Sequence, residues 1–250
     1  TLNKLPKKKI SVHAQDASLF LLNSEGFDYI DIDPFGSAHH YLDAAIKRLS
    51  RNGILAVTVT DTSALAGTHP KACQRKYWAK PLKNEIMHEV GIRILSRKVQ
   101  LVAAQYDKAV IPIFSHSTEH YYRIYFECVK GKQAVDQILA QHKYFLFCAN
   151  CRQMNVSKQN SGICCKKLLL TAGPLWTGQL WNNKLVKQML KQEKYVEFLQ
   201  TILEESKTNI VGFYSLPKLA SKAGVPLTKK EIVLKEIRKK EFQATPTHFT

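Results

Sequence analysis

The feature that most limits how this chain can fold is an alternation of strand-like and helix-like patterns over its first half. "KISVHA" (Lys9 to Ala14) reads as a strand and "ASLFLLN" (Ala17 to Asn23) as a short helix. "FDYIDI" (Phe27 to Ile32) alternates as a strand does. "YLDAAIKRLS" (Tyr41 to Ser50) is apolar at helical spacing, with Lys47 and Arg48 in its last turn, where cations suit the helix dipole. Gly53 is expected to break that helix before "ILAVTVT" (Ile54 to Thr60), a nearly continuous buried strand. A long helix is predicted over Pro81 to Lys98, with Pro81 tolerated in its first turn. Strand runs near Gln100 to Phe114 and Tyr121 to Val129 follow with no helix between them, as an edge hairpin would. This order predicts an open α/β sheet, mainly parallel with an antiparallel finish. Ligands of such sheets lie beyond the carboxyl ends of the strands. Asp33-Pro34-Phe35-Gly36 and Thr60-Asp61-Thr62 both stand at such ends.

Asp33-Pro34-Phe35-Gly36 is unusual chemistry for the end of a strand. A carboxylate and a proline carbonyl can each accept a hydrogen bond from an exocyclic amine. A phenyl ring beside them can stack on the base that carries the amine, and Gly36 lets backbone approach closely. Such an amine is a poor nucleophile because its lone pair is delocalised into the ring. Two acceptors on its hydrogens favour pyramidalisation and aim the lone pair at an electrophilic methyl, catalysis by positioning and electrostatics. The plainer alternative is a turn in which Asp33 caps the next segment.

From about Gln141 the character changes, giving an expected division into residues 1–140 and 141–250. Cys148-x-x-Cys151 has the spacing of a zinc half-knuckle, and Cys164 and Cys165 follow as an adjacent pair. Four thiolates on one ion would make a structural site with no open position, whereas two reduced pairs in a small core are the competing reading. Cys73 and Cys128 stand alone and read as small buried side chains. A helix is expected over Lys184 to Ser206. The tail reads as a short helix, a glycine turn, a basic helix and an extended end, either a helix-turn-helix with a wing or an ordinary helical hairpin.

The formal net charge of +17 and pI near 9.6 favour a polyanionic partner, nucleic acid above all. No stretch is long and apolar enough to span a bilayer, and the opening "TLNKLPKKKISV" lacks the pattern of a secretory signal, so an intracellular protein without a membrane partner is expected. "HPKACQRKYWAKPLK" mixes Lys71, Arg75, Lys76, Lys80 and Lys83 with Tyr77 and Trp78, a pairing suited to phosphate contact and base stacking, although large aromatics usually lie in the core. Lys229, Lys230, Lys235, Arg238, Lys239 and Lys240 form a second basic run on the tail.

The stretches "DIDPFGSAHHYLDAAIKRLSRNGILAVTVTDTSALAG" and "CQRKYWAKPLKNEIMHEVGIRIL", continuing through "GPLW", resemble the tRNA guanine N2-dimethyltransferase family over essentially the whole chain, with particular likeness to a vertebrate branch of it. The resemblance implies a Rossmann-like S-adenosylmethionine-dependent methyltransferase sheet followed by a smaller α+β domain that binds tRNA. It implies that Asp33 to Gly36 grip the guanine 2-amino group, that Asp16 and Ala17, with Asp33, contact the methyl donor, and that Asp61 lies where the target base enters. Nuclear or nucleolar residence is expected, with the mitochondrion as the alternative. The sequence departs from the family pattern in three places. Ala38, followed by His39 and His40, stands where the family commonly has proline, and Cys164-Cys165 replaces a second C-x-x-C. The Gly-rich loop and acidic strand end that normally hold the donor precede no part of this sequence, so as given it is expected to begin inside its catalytic domain and not to bind donor normally. Two other function classes stand beside this one: a non-catalytic RNA-binding relative, and a DNA-binding zinc and winged-helix protein.

Overall fold

The computed structural model describes residues 10–249. Strand β1 (Phe27–Ile32) lies parallel to β2 (Leu49–Val59), and β4 (Tyr121–Lys130) and β3 (Lys108–Thr118) complete a sheet of order β1-β2-β4-β3. The last two pairings, β2 with β4 and β4 with β3, are antiparallel. The expected edge hairpin is therefore present, with β3 outermost, but the sheet among the described residues is not mainly parallel as expected, since only β1 and β2 pair in parallel. In β1, Ile30 and Ile32 are buried while Tyr29 and Asp31 are exposed, the alternation of a half-covered strand. In β2, Leu55 to Val59 are all buried, as a central strand requires.

Helix α1 (Ala17–Leu22) precedes β1, and α2 (Leu42–Arg48) crosses from β1 to β2. Helix α3 (Pro70–Tyr77) has Pro70 in its first turn. Helix α4 (Met87–Ala104) packs on the sheet through Val90, Ile94 and Leu95. Gly91 lies where a Cβ would stand 2.7 Å from the ring of Tyr122, so only glycine permits this helix–strand approach.

Helix α5 (Lys132–Leu139) leads to a second sheet of order β6-β5-β9, formed by β5 (His142–Phe147), β6 (Met154–Ser157) and β9 (Leu170–Trp176). The two-stranded ribbon β7 (Ile163–Cys164) and β8 (Lys167–Leu168) projects from it. One buried apolar cluster runs through both sheets, joining Ile30, Ile92 and Phe126 to Phe145, Leu175 and Trp176. Helices α6 (Asn183–Leu190), α7 (Val196–Glu205), α8 (Leu216–Ala223) and α9 (Lys230–Lys239) follow. The final residues return to α7, where Glu205 accepts hydrogen bonds from Thr247 and from the His248 backbone and ring. No helix among the described residues is long and apolar enough to cross a membrane.

Several expectations need correction. Lys9 lies outside the described residues, and Ile10 to Ala14 form no strand, since no described segment pairs with them. The long helix starts at Met87 rather than Pro81, because Lys80 forms an antiparallel bridge to Gly173 that holds the preceding backbone extended (N···O 2.8 and 2.7 Å). It also runs on to Ala104, so the strand expected from Gln100 begins only at Lys108. Gly53 breaks no helix: α2 has ended at Arg48, and Gly53 lies within β2. The single helix expected over Lys184 to Ser206 is two, parted where Glu193 and Tyr195 take φ of +53° and +54°. The tail is a helical pair with a Gly224 turn at φ +66°, but no strand forms a wing; its end is occupied on α7 instead.

Glu89 and Arg93 form a fully buried ion pair on α4, Nε to Oε1 2.8 Å, and Arg93 also donates to the carbonyls of Trp176 and Gly178. Arg93→Met is expected to cost about 3–5 kcal/mol, because Glu89 would remain buried without its cation. Urea unfolding checks this, and the cost should shrink when Glu89→Gln is added. Burial also pushes the His116 and His142 pKa down to about 4 from an ordinary 6.5. Both rings are thus neutral in the fold, and between those values the unfolded chain binds the extra protons. Stability contributed by these rings is expected to be intact above pH 6.5 and lost as pH falls toward about 4, read from urea midpoints across that range.

Candidate active site at the carboxyl end of the sheet

Strand β1 ends at Ile32, and Asp33, Pro34, Phe35 and Gly36 emerge at the carboxyl edge of the sheet. Gly36 takes φ +98°, a left-handed conformation in which a side chain is strained even though space is open. The turn is tied to the end of β2. The Gly36 N–H donates to Thr60 Oγ1 at 2.7 Å, and the Gly36 carbonyl accepts from the Thr60 N–H at 3.0 Å. Asp33 is exposed at the strand end, and the Phe35 ring is fully exposed, with a relative accessibility of 107%. A phenyl ring held out in water on a pinned turn contributes nothing to the core. It is available as a surface on which a planar ligand can stack.

Phe35, Gly36, His39, Tyr41, Asp61 and Lys76 border a cleft of about 490 Å³. Asp61 accepts from Ser63 Oγ at 2.8 Å and from Lys76 Nζ at 3.1 Å, and these bonds, Ser63's foremost, hold its carboxyl below the usual range. His39 and His40 form a short 3-10 turn with ring centroids 3.8 Å apart. Ser37 Oγ lies 2.6 Å from His39 Nδ1 and 3.0 Å from the Tyr77 hydroxyl. Tyr77 was expected to face RNA. It is 1% exposed, and burial pushes its hydroxyl pKa up to about 12, so it braces Ser37 from within the core rather than stacking on a base. Cys73, one turn earlier, is buried on the same face, which leaves Lys71 and Arg75 exposed on α3. Lys80 is exposed, with its backbone held in the bridge to Gly173.

On the tail, Lys229 and Lys230 are exposed. Arg238 is also exposed; its Nε donates to the Ala244 carbonyl at 2.9 Å and its guanidinium lies 3.8 Å from Glu204. Lys239 pairs with Glu236 at 2.7 Å. All four of these cations therefore lie on the surface, two of them beside an acidic neighbour. Asp16, expected at the donor, caps α1 by accepting from the Leu19 N–H at 2.8 Å, and Ala17 opens that helix.

The four cysteines converge. The sulfurs of Cys148, Cys151, Cys164 and Cys165 all lie within 4.8 Å of one another, with Cys151 and Cys164 3.4 Å apart. Tetrahedral thiolates around zinc at 2.3 Å stand about 3.8 Å from each other, so the arrangement has the size of such a site. The adjacent pair is possible because Cys165 and Lys166, with φ of +51° and +59°, form the two-residue turn of the β7–β8 ribbon. The Cys151 N–H donates to Cys148 Sγ at 3.4 Å, the chief cause of a Cys148 pKa drawn down to about 6. Its thiol neighbours Cys151 and Cys148 push Cys164 the other way, up to about 12. Four thiolates this close repel one another unless a cation sits among them.

The sequence model of the family described as N2,N2-dimethylguanosine tRNA methyltransferase matches residues 1–250. The chain belongs to this family. A relative from Aquifex aeolicus, a tRNA (guanine(26)-N(2)/guanine(27)-N(2))-dimethyltransferase, is 40% identical over 264 aligned positions, which cover 99% of this chain and 66% of the relative. The tRNA (guanine(26)-N(2))-dimethyltransferase of Methanobrevibacter smithii is 39% identical, covering 99% and 67%. The solved structure of Trm1 from Pyrococcus horikoshii with S-adenosyl-L-methionine superposes with a TM-score of 0.86 at 31% identity, over 96% of this chain and 66% of that one. The chain therefore spans about two thirds of the length of the family members it matches.

Sequence reasoning missed the Tyr77–Ser37–His39 relay and the Thr60 clamp on Gly36. The spacing of Cys73 and Tyr77 behind Pro70 carried the signal for the first. Replacing Gly36 with alanine is expected to destabilise the turn by about 1–2 kcal/mol, the cost of a left-handed conformation with a Cβ. Hydrogen exchange at the Gly36 and Thr60 amides would report it as faster opening, with the exchange of β2 unchanged.

Proposed function

We propose that this chain forms the guanine-binding part of an S-adenosylmethionine-dependent methyltransferase that acts on the 2-amino group of a guanosine in tRNA. The products would be N2-methylguanosine and N2,N2-dimethylguanosine. The observation that supports it most is the turn after β1: an exposed acid, a proline carbonyl and a fully exposed phenyl ring held rigidly at the carboxyl end of a sheet. In this reading the target base leaves its stack and lies on Phe35. Its 2-amino group then donates to the Asp33 carboxylate and the Pro34 carbonyl. Those acceptors make the nitrogen lone pair available, and Asp33 stands where the departing proton is released. Asp61, fixed by Ser63 and Lys76, borders the way in.

S-adenosylmethionine would supply the electrophilic methyl. Asp16 fits the adenine end, because it is exposed and a carboxylate that caps a helix can accept a further hydrogen bond. A zinc ion would be held by Cys148, Cys151, Cys164 and Cys165, stiffening the β5–β6 turn and the β7–β8 ribbon without taking part in methyl transfer. Lys71, Arg75, Lys229 and Lys230 would contact tRNA phosphates, consistent with the net charge of +17. We place the protein in the nucleus or nucleolus on the same grounds of charge and resemblance to the vertebrate branch.

The test is methylation of total tRNA with labelled S-adenosylmethionine. It would use the chain alone and joined to the part of Pyrococcus horikoshii Trm1 that it does not span, with products read as nucleosides by mass spectrometry. Methylguanosine is expected, with the rate reduced at least about 100-fold by Asp33→Ala, comparable to loss of one transition-state hydrogen-bonding group. Donor and tRNA binding without product would favour a non-catalytic RNA-binding relative instead. A preference for duplex DNA over tRNA would sink the RNA reading altogether. For the cysteines, one zinc per chain is expected by elemental analysis, and Cys151→Ser should weaken its retention against a chelator.

A further inference from the structure

Trp78 follows the buried Tyr77 but faces the other way. It ends α3 in a left-handed conformation, φ +54°, and is 52% exposed. The other two tryptophans, Trp176 and Trp181, are 3% and 6% exposed. Half of a large aromatic face is thus open to solvent and available for stacking.

Its setting is rigid. The Trp78 N–H donates to the Gln74 carbonyl at 3.1 Å, and its own carbonyl accepts from Arg97 at 3.3 Å. The Lys98 ammonium lies 3.1 Å from the ring centroid, a close cation–π contact. Lys98 is 7% exposed, so the indole sits on a largely desolvated cation and its accessible area faces solvent. Burial, followed by the Arg97 charge, lowers the Lys98 pKa.

Trp78 does not line the cleft but stands close to it along the chain. Lys76, two residues before Trp78, borders it. His39, also on its border, feels both Lys76 and Lys98, whose charges add to burial and to His40 in lowering its pKa. A flat aromatic, clamped in backbone and ring and flanked by cations, matches the chemistry of an unstacked nucleotide: a base on the indole and its phosphate near the cations.

We infer that Trp78, backed by Lys98, is the stacking platform for an unpaired nucleotide adjoining the guanosine that enters the Phe35 cleft. This rests on the tRNA reading above, and of the two aromatics that the sequence offered for stacking, Tyr77 and Trp78, it selects Trp78. Stacking here would hold the distorted RNA strand once the target base has left its helix.

The experiment uses intrinsic tryptophan emission of the chain during titration with total tRNA, alongside filter retention of the same tRNA. Because the other two tryptophans are buried, quenching reports contact at Trp78. Saturable quenching is expected for the wild type, with loss of most of it in Trp78→Phe while that variant still retains tRNA. Trp78→Ala should weaken tRNA binding roughly tenfold, in the range for loss of one stacked base. Heparin should compete for the basic surface without quenching. Retention without quenching, or equal quenching in Trp78→Phe, would overturn the platform while leaving the tRNA reading standing. No retention of tRNA by the wild type would overturn both.

Discussion

The Glu89–Arg93 pair holds the two halves of the chain together, and the site is built upon that union. One turn of α4 brings the acid and the guanidinium within 2.8 Å. Every further bond they make goes to backbone from the second half: Arg93 to the carbonyls of Trp176, Gly178 and Ile210, and Glu89 from the Gly212 N–H. Trp176 ends β9, but Gly178, Ile210 and Gly212 lie outside any strand, so their polar groups have no ladder to join and would otherwise be left unpaired. Two charges taken out of water are unfavourable by themselves, and the added hydrogen bonds offset that cost. The backbone must come very close for this to work. A Cβ on Gly178 would stand 2.2 Å from Trp176, and one on Gly212 would stand 2.7 Å from Met154 Sδ.

The same helix reaches the site. Arg97 and Lys98, on the next turn of α4, hold Trp78, while the sheet beneath α4 delivers Asp33 and Thr60. Positioning thus passes from the core to the surface through short covalent paths. That matters for a reaction whose catalysis is mostly geometric, where a displacement of an ångström is felt strongly.

The sequence was most legible where local pattern and tertiary role agree. β1 runs from Phe27 to Ile32 as its alternation implies, and the acid-proline-aromatic-glycine turn follows at the strand's carboxyl end. It was least legible where conformation depends on a distant partner. "KISVHA" alternates properly, yet a strand exists only as half of a pair, and no described segment pairs with Ile10 to Ala14. The break between α6 and α7 falls at Glu193 and Tyr195, with neither glycine nor proline to mark it. Tyr77 and Trp78 look equivalent in the sequence. Only the helix from Pro70 shows that Cys73 and Tyr77 share the inward face and that the next residue is thrown outward.

Net positive charge and exposed aromatics do different work at such a surface. Cations such as Lys71 and Arg75 attract any phosphate backbone at long range and cannot tell one stretch of RNA from another. Stacking requires a base already freed from its helix, so in the proposed reading Phe35 and Trp78 would respond to the distorted state of the RNA rather than to its charge. Both are held on restrained backbone, Phe35 beside the Gly36–Thr60 clamp and Trp78 by Arg97 and Lys98. Little backbone freedom is left to lose at either ring on binding, which favours the complex. An ordinary duplex would satisfy the cations and leave both rings uncovered. In the proposed reading, discrimination in favour of an extruded guanosine would reside in the two aromatic side chains and the Asp33 acceptor, and the net charge of +17 would set only how readily RNA arrives.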